Sequence, residues 1–509
     1  MRFQIEKVQA DGEWVPLSDR RISSENENIF TMVVGQNAVG KSRLLRKIVS
    51  NYIFSQVEAG QHHSESAENY VTLLSRPVES LFTYEQLPSH ISIPKTDDIA
   101  LTIQPGIHRK EIPWSIPPTE IRSISSYRVP KELAVDSHGI HKGEVLPSLD
   151  SRWHPAHVIA VSTGRHDRFP STLQYKRRAA PINYSYIGTE RPHGSSVPSS
   201  LASLIDGLIK GHQNIKKLSK IFEYLGFIPY LDLKISLDIK QLYKLSEAER
   251  LEIYQNCDYE ILAYLSEYGD YPPHVSPQEL HFYDSLKRQK RSHIEVNFWN
   301  IESGRGHGVL GNIAPLLKAG LIKIYDVTLI KSADKSRLRL SQASSGQQCM
   351  ITIMLGIAGS IQNCSLICID EPEISLHPQW QSNMVQQLQE VFSDFHGCHF
   401  VIATHSPQLV SGLVTESGYV LNLEEKKLYH SFEYAQRSAD FQLAEIFHTP
   451  GKNNEYLLRI TLLLLTKITR REQLNKEDIE TISKLYQLRR RMSDTDPVYH
   501  LIGQIEALY

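Results

Sequence analysis

Hydrophobic residues run along this chain in two rhythms. Phe30-Thr31-Met32-Val33-Val34, Ser365 to Ile369 and His399-Phe400-Val401-Ile402-Ala403 are continuous or nearly continuous apolar runs, the pattern of strands covered on both faces. Between them the spacing becomes helical. Leu44, Leu45 and Ile48 recur on one side of Ser42 to Ser50, Met350 to Ile357 is apolar throughout, and Gln379 to Phe392 is amphipathic. Strands alternating with helices predict an α/β fold with a buried sheet. Met1 to Glu6 alternates like a further strand, whereas residues 60 to 155 are rich in Pro, Ser and His without sustained periodicity. From Leu201 to Ser285 the pattern predicts helices around Leu201–Ile209, Ile215–Leu225 and Ala248–Tyr268, split by a strand at Leu231–Ile239. Residues 436 to 509 predict about three helices, and no long heptad repeat occurs that would make a coiled-coil arm.

Chemistry collects where these strands end. Gly35-Gln36-Asn37-Ala38-Val39-Gly40-Lys41-Ser42 follows the first strand and opens a helix whose second residue is Arg43. Glycines there let the backbone aim successive amides at phosphate oxygens, and the helix N-terminus adds favourable potential. In such a Walker A loop Lys41 neutralises the β- and γ-phosphates and Ser42 ligates magnesium. The apolar run at 365–369 ends in Asp370-Glu371, the pattern of a Walker B strand: one carboxylate for the metal shell, the next to deprotonate the attacking water. His405 ends the strand after it, one strand-helix-strand unit beyond Asp370, within reach of a γ-phosphate. Ser344-Ser345-Gly346-Gln347 opens the apolar helix that leads into Walker B.

The order Walker A, Ser344–Gln347, Walker B and His405 resembles that of ABC-type ATPases. Asp370-Glu371-Pro372-Glu373-Ile374-Ser375-Leu376-His377-Pro378-Gln379-Trp380-Gln381, with Ala403-Thr404-His405-Ser406-Pro407, resembles the soluble branch that includes OLD-like and Septu-type defence proteins. Val158-Ile159-Ala160-Val161-Ser162, Asp167-Arg168-Phe169-Pro170 and Tyr184-Ser185-Tyr186-Ile187-Gly188 are similar to the PtuA-like ATPase subunit of Septu and retron-associated systems. The resemblance implies an ABC ATPase head with a mixed β-sheet, an inserted helical lobe and a C-terminal helical extension, using ATP and Mg2+. It assigns Glu371, His405 and Lys41 to catalysis, residues 35 to 43 and Ser344, Ser345, Gly346 and Gln347 to nucleotide binding, and Ser42 and Asp370 to the metal. It also implies a homodimer or larger homo-oligomer with ATP sandwiched between subunits, so that the signature helix of one subunit completes the site of the other. The implied partner is a PtuB-like HNH endonuclease. A retron reverse transcriptase with its multicopy single-stranded DNA, and direct DNA contact, are further partner readings.

Departures sharpen the assignment. Ser345 stands where transporter ATPases carry the first signature glycine. The glutamine between Walker A and the inserted lobe is not evident; Ser162, ending the better strand, is the favoured metal residue, with Gln104 on Leu101-Thr102-Ile103-Gln104 as the alternative. The expected organisation is residues 1–200 and 331–435 for the two parts of the ATPase domain, 201–330 for the helical insertion and 436–509 for the tail. Asp494-Thr495-Asp496 precedes Pro497, and reads as a helix-capping turn and not as Toprim nuclease acids.

A formal charge of −2 gives no global attraction to nucleic acid, so any such contact needs a local patch. Lys176-Arg177-Arg178, Lys287-Arg288-Gln289-Lys290-Arg291 and Arg489-Arg490-Arg491 are the basic clusters, and none has interleaved aromatics. Cys257, Cys349, Cys364, Cys368 and Cys398 are an odd set, mostly in ATPase segments, and read as reduced thiols. His138, His141, His154 and His157 match no standard metal spacing. The start of the chain has no leader pattern, and Leu457 to Leu465 is too short to span a bilayer, so the expected compartment is the cytoplasm, with no membrane contact. A DNA-repair ATPase acting on DNA ends, an OLD-like nuclease and a transporter subunit are the alternatives.

Overall fold

A seven-stranded sheet is the largest among the described residues, and its order is β16-β15-β3-β14-β13-β7-β8. The computed structural model describes residues 2–10, 13–19, 27–36, 40–59, 99–104, 134–136, 139–141, 155–163, 169–170, 183–188, 204, 215–238, 259–265, 277–298, 316–317 and 321–509. In chain order the strands are β1 Arg2–Ala10, β2 Glu13–Pro16, β3 Ile29–Val34, β4 Ile99–Gln104, β5 Ala134–Asp136, β6 Gly139–His141, β7 Val158–Ser162, β8 Tyr184–Ile187, β9 Phe227–Leu237, β10 Arg291–Asn297, β11 Ile322–Lys331, β12 Arg337–Arg339, β13 Leu366–Asp370, β14 His399–Ala403, β15 Gly418–Asn422 and β16 Lys427–His430. The helices used below are α1 Lys41–Ala59, α2 Ile215–Tyr224, α3 Tyr259–Leu265, α4 Pro277–Gln289, α5 Ser345–Ser360, α6 Pro378–Val391, α7 Pro407–Ser411, α8 Ala439–Glu445, α9 Glu455–Thr469, α10 Lys476–Arg489 and α11 Pro497–Leu508.

The three apolar runs of the sequence are adjacent central strands. β3, β14, β13 and β7 pair in parallel and every residue in them is buried. Their side chains divide by alternation. Phe30, Met32, Val34, Ile367 and Ile369 join the core beneath α5 and α6, whereas Val33, Leu366 and Cys368 join the core that holds Leu44, Leu45 and Ile48 of α1. Each such aliphatic side chain contributes about 1.5–3 kcal/mol of transfer free energy. Phe30 and Phe400 stack at 4.5 Å between ring centroids. β16 closes one edge antiparallel, which makes the sheet mixed. The chain has the predicted α/β fold with a mixed sheet, and helices follow the sheet at its C-terminal end.

Register places the strand ends in one row. Ala403 pairs with Val33 and with Asp370, and Asp370 pairs with Ser162. The loops that follow β3, β14, β13 and β7 therefore leave the sheet side by side. Gln104, the alternative to Ser162, lies on β4 in a separate three-stranded sheet and pairs with Arg2. His399 ties that small sheet to the large one: its Nδ1 accepts from the Ile5 amide at 3.1 Å and its Nε2 meets the Thr31 hydroxyl at 3.0 Å.

Residues 201–330, expected to be mainly helical, hold helices and also most of an antiparallel sheet, β10-β9-β11-β12. Its apolar face (Leu231, Leu233, Ile235, Ile294, Val296, Ile324) packs in the same core as Leu218, Ile221 and Phe222 of α2 and Tyr283 and Leu286 of α4. β9, Phe227–Leu237, overlaps the predicted 231–239 strand but starts earlier, and β10 alternates with charged residues and presents only Ile294 and Val296 to the core, too little periodic signal to separate it from a loop. Among the predicted helices, Ile215–Leu225 corresponds to α2 and α3 lies within Ala248–Tyr268, while residues 201–203, 205–209, 248–258 and 266–268 lie outside the described residues. The tail forms α8 to α11, and the last three helices close over their own core of Leu457, Leu464, Ile482, Leu485, Ile502 and Ile505. No helix among the described residues is long and apolar enough to cross a membrane.

Candidate functional site

Lys41 is the centre of the candidate site. Gly35 (φ 152°) and Gly40 (φ 103°) take left-handed backbone that L side chains resist, and this lets the chain turn from β3 into α1. Asn37, Ala38 and Val39 lie outside the described residues. The Lys41 ammonium donates to Gly35 O at 2.8 Å, to Gln36 O at 3.2 Å and to His405 Nδ1 at 3.1 Å. A lysine only donates, so Nδ1 of His405 is an acceptor and the ring proton of a neutral imidazole sits on Nε2. That nitrogen faces Glu371 Oε1 at 3.4 Å. Lys41, His405 and Glu371, brought from three strand ends, thus form one polar chain.

The Ser42 hydroxyl donates to Asp370 Oδ1 at 3.0 Å, across a sequence separation of 328. Two hard oxygens converge there, and a hydroxyl with a carboxylate is the donor chemistry a magnesium ion takes. The pair therefore fits the metal that the motif implies. Ser162 is buried beside Asp370 in register, but no described hydrogen bond joins their side chains. Arg43 lies over the Walker A turn, its guanidinium the first group a side chain on Gly40 would meet. Ser344 caps α5: its hydroxyl accepts from the Gln347 amide at 3.3 Å and its own amide donates to Gln347 Oε1 at 3.2 Å. Among the described hydrogen bonds none joins Ser344–Gln347 to the Lys41 cluster.

Burial lowers the Lys41 pKa to about 8, and the carboxylates of Glu371, Glu373, Asp370 and Glu424 oppose that fall. The ammonium is held by two backbone carbonyls and His405 in a site rich in negative charge. Burial also raises Glu373, whose Oε1 accepts the His405 amide at 2.5 Å. The Cys349 thiol, packed against Pro372, is pushed up to about 12 by burial, and Cys398 likewise, so neither carries reactive thiolate.

The structure adds backbone geometry and supporting residues to the site that the sequence does not show. Glu371 adopts left-handed backbone (φ 48°), held by its amide on Ala403 O at 2.9 Å and by the Thr163 hydroxyl on its carbonyl at 2.9 Å. Gln381 donates to Glu373 O and Leu376 O and accepts from the Ser406 hydroxyl at 2.6 Å, so α6 fixes the two loops relative to each other. Glu424, after β15, accepts the Gln36 amide at 2.7 Å and lies 4.0 Å from the Arg491 guanidinium of the tail. Glu371, Glu373, Gln381 and Ser406 have a sequence signal, as members of the runs that carry the soluble-branch resemblance, whereas Thr163 and Glu424 have none. Asp496, expected as a cap, accepts from the Val498 amide at 2.9 Å and the Asn453 amide at 3.0 Å at the start of α11. No group of three or more potential metal-ligating side chains occurs among the described residues.

A family model described as an AAA ATPase domain matches residues 281–410, from α4 through Walker B to α7. The chain is 29% identical over 108 residues to the Retron Vc95 probable ATPase of Vibrio cholerae serotype O1 biovar El Tor, and 25% identical over 118 residues to the Retron Ec83 probable ATPase of Escherichia coli. These matches cover 19% and 21% of this chain, and only 20% and 21% of the relatives. Among solved structures, an Smc head bound to the C-winged helix domain of ScpA aligns over 82% of this chain and 93% of its own, with 11% identity and a TM-score of 0.28.

Proposed function

We propose that this chain is the ABC-type ATPase subunit of an antiphage defence complex, binding ATP and Mg2+ across a homodimer and using the nucleotide state to control an HNH nuclease partner. One observation carries the reading: Lys41, Ser42, Asp370, Glu371 and His405 converge from separate strand ends on one edge of the sheet. The similarity of a segment of the chain to two retron ATPases supports the defence context.

The residues divide the work by their chemistry. Lys41 neutralises the phosphates. Ser42 and Asp370 would hold a magnesium ion, with Ser162 beside them, and the ion would supply charge stabilisation for the transferring phosphoryl group. Glu371 orients and deprotonates the attacking water, and His405 fixes the Glu371 carboxylate while reaching toward the γ-phosphate. The Thr163 bond to the Glu371 carbonyl and the Glu373 bond to the His405 amide hold the backbones that carry both side chains. Ser344–Gln347 presents a helix N-terminus to the nucleotide of the partner copy, so that one chain alone is a poor ATPase.

Hydrolysis is slow in this reading and DNA cleavage belongs to the partner. The test is co-expression of the chain with an HNH protein encoded beside it, followed by co-purification, ATP turnover and nuclease assays. Metal-dependent cleavage of DNA by this chain alone would overturn the division of labour. A retron reverse transcriptase and its single-stranded DNA are the further components to seek in the same co-purification.

A further inference from the structure

We propose that the exposed face of the β10-β9-β11-β12 sheet binds single-stranded nucleic acid. The apolar face of this sheet is covered by α2 and α4, and the opposite face carries the residues between the buried positions. In register, Arg291 pairs with Ser236, which pairs with Lys323, and His293 pairs with Lys234. Arg291, His293, Lys323 and Tyr325 are all exposed, Tyr325 by 49%. Tyr325, two residues beyond Lys323, lies on the same face by alternation, and there the Arg291 guanidinium lies 5.5 Å from its ring centroid. The basic run 287–291 showed no interleaved aromatic in sequence; the fold supplies one from another strand.

Charge is sorted along the face. Glu295 and Asp232 pair with each other farther along the strands, and Glu295 is engaged by the Tyr230 hydroxyl. The Asp326 carboxylate accepts the Val327 and Ser341 amides, which anchors it to backbone. Lys323 lies 3.3 Å from Asp238, both partly exposed, a pair of little net strength in water. Arg291 and Lys234 have no carboxylate partner among the described ion pairs. The result is a cationic corner around an exposed aromatic ring, at the end of the sheet where α4 delivers Lys287 and Arg288. Cations track a phosphate backbone, and an exposed ring takes an unstacked base, which a duplex does not offer. A polyanion lacking bases would use the cations and ignore the ring.

This surface goes beyond the ATPase reading and does not depend on it. The test uses the full chain and a fluorescent single-stranded oligonucleotide of about 20 nucleotides, long enough for one such site, with anisotropy read at several salt concentrations. Binding should weaken with salt, with a log-log slope of about −0.7 for each phosphate neutralised. Lys234→Glu with Arg291→Glu should weaken binding at least about tenfold and flatten that slope. Tyr325→Ala should weaken it roughly 5- to 150-fold, the range of one lost base stack, with the slope unchanged, and Tyr325→Phe should restore it. ATP binding measured on the same samples should be unaffected, which separates this surface from the ATP site. Absence of single-strand binding at low salt, equal or tighter binding of a duplex of the same length, or unchanged affinity in the folded variants would each overturn the proposal.

Discussion

Glu371→Gln is the substitution whose outcome the geometry constrains most closely. Glutamine keeps the shape and one acceptor oxygen, so the approach of His405 Nε2, 3.4 Å in the native chain, can persist. The backbone bonds to Ala403 and Thr163 do not involve the side chain, and the left-handed φ of 48° is no harder for Gln than for Glu. Folding stability should therefore change by no more than about 0.5 kcal/mol. Loss of a general base lowers a rate by about 10²- to 10⁴-fold, or about 3–5 kcal/mol of barrier. Nucleotide affinity should hold or rise, because Glu371 is the first of four carboxylates that surround Lys41. Phosphate release under single-turnover conditions, with calorimetric titration of ATP on the same preparation, measures both quantities. Size-exclusion chromatography with ATP should then show a longer-lived dimer. Turnover within about threefold of the native rate, with affinity preserved, would refute the assignment of Glu371 as base.

Other outcomes follow from single contacts. Lys41→Ala should weaken ATP binding by more than about tenfold, since a charge-assisted contact to phosphate is worth about 1.5–3 kcal/mol, and unchanged affinity by titration would count against the site. Binding favours the charged ammonium, so the bound form holds its proton more tightly than the free form. Affinity should be fully present below pH about 8, the free Lys41 value, and should fall above it by at most about tenfold per pH unit, while a pH-independent affinity from 7 to 9.5 would contradict the role of Lys41. Asp496→Ala removes the cap of α11 and should cost about 1–2 kcal/mol in urea unfolding, without creating or abolishing DNA cleavage. Truncation after residue 450 should leave the head folded and ATP-competent, because Ile446 and Phe447 belong to the main core while α9 to α11 have their own; loss of HNH co-purification would locate docking on the tail.

The sequence reading reached the centre of the site because its residues follow strongly periodic strands. Lys41, Asp370 and His405 could each be placed at a strand end, and the strand ends meet wherever the strands pair in parallel. Glu424 and Thr163 were out of reach for the opposite reason. Each sits in a loop with no distinctive neighbours, and only the pairing of β15 with β3 and of β7 with β13 brings them to Gln36 and Glu371. The left-handed turn at Glu371 had no glycine or asparagine to announce it. β10 was hidden because Arg291, His293 and Glu295 outnumber its core residues, so that hydrophobic periodicity fails where a sheet turns a charged face to solvent.

The pairing of β3 with β14 has a consequence for biosynthesis. Both neighbours of β3, β14 and β15, are translated long after it, so the strand carrying the Walker A loop leaves the ribosome with two bare edges of Phe30, Thr31, Met32, Val33 and Val34. Exposed apolar edges on a waiting strand invite pairing with other nascent chains, and nucleation through contacts so distant in sequence is slow. The nascent protein should depend on chaperones until β14 and β15 emerge. Expression yield should then respond to chaperone supply more than to substitutions on the surface.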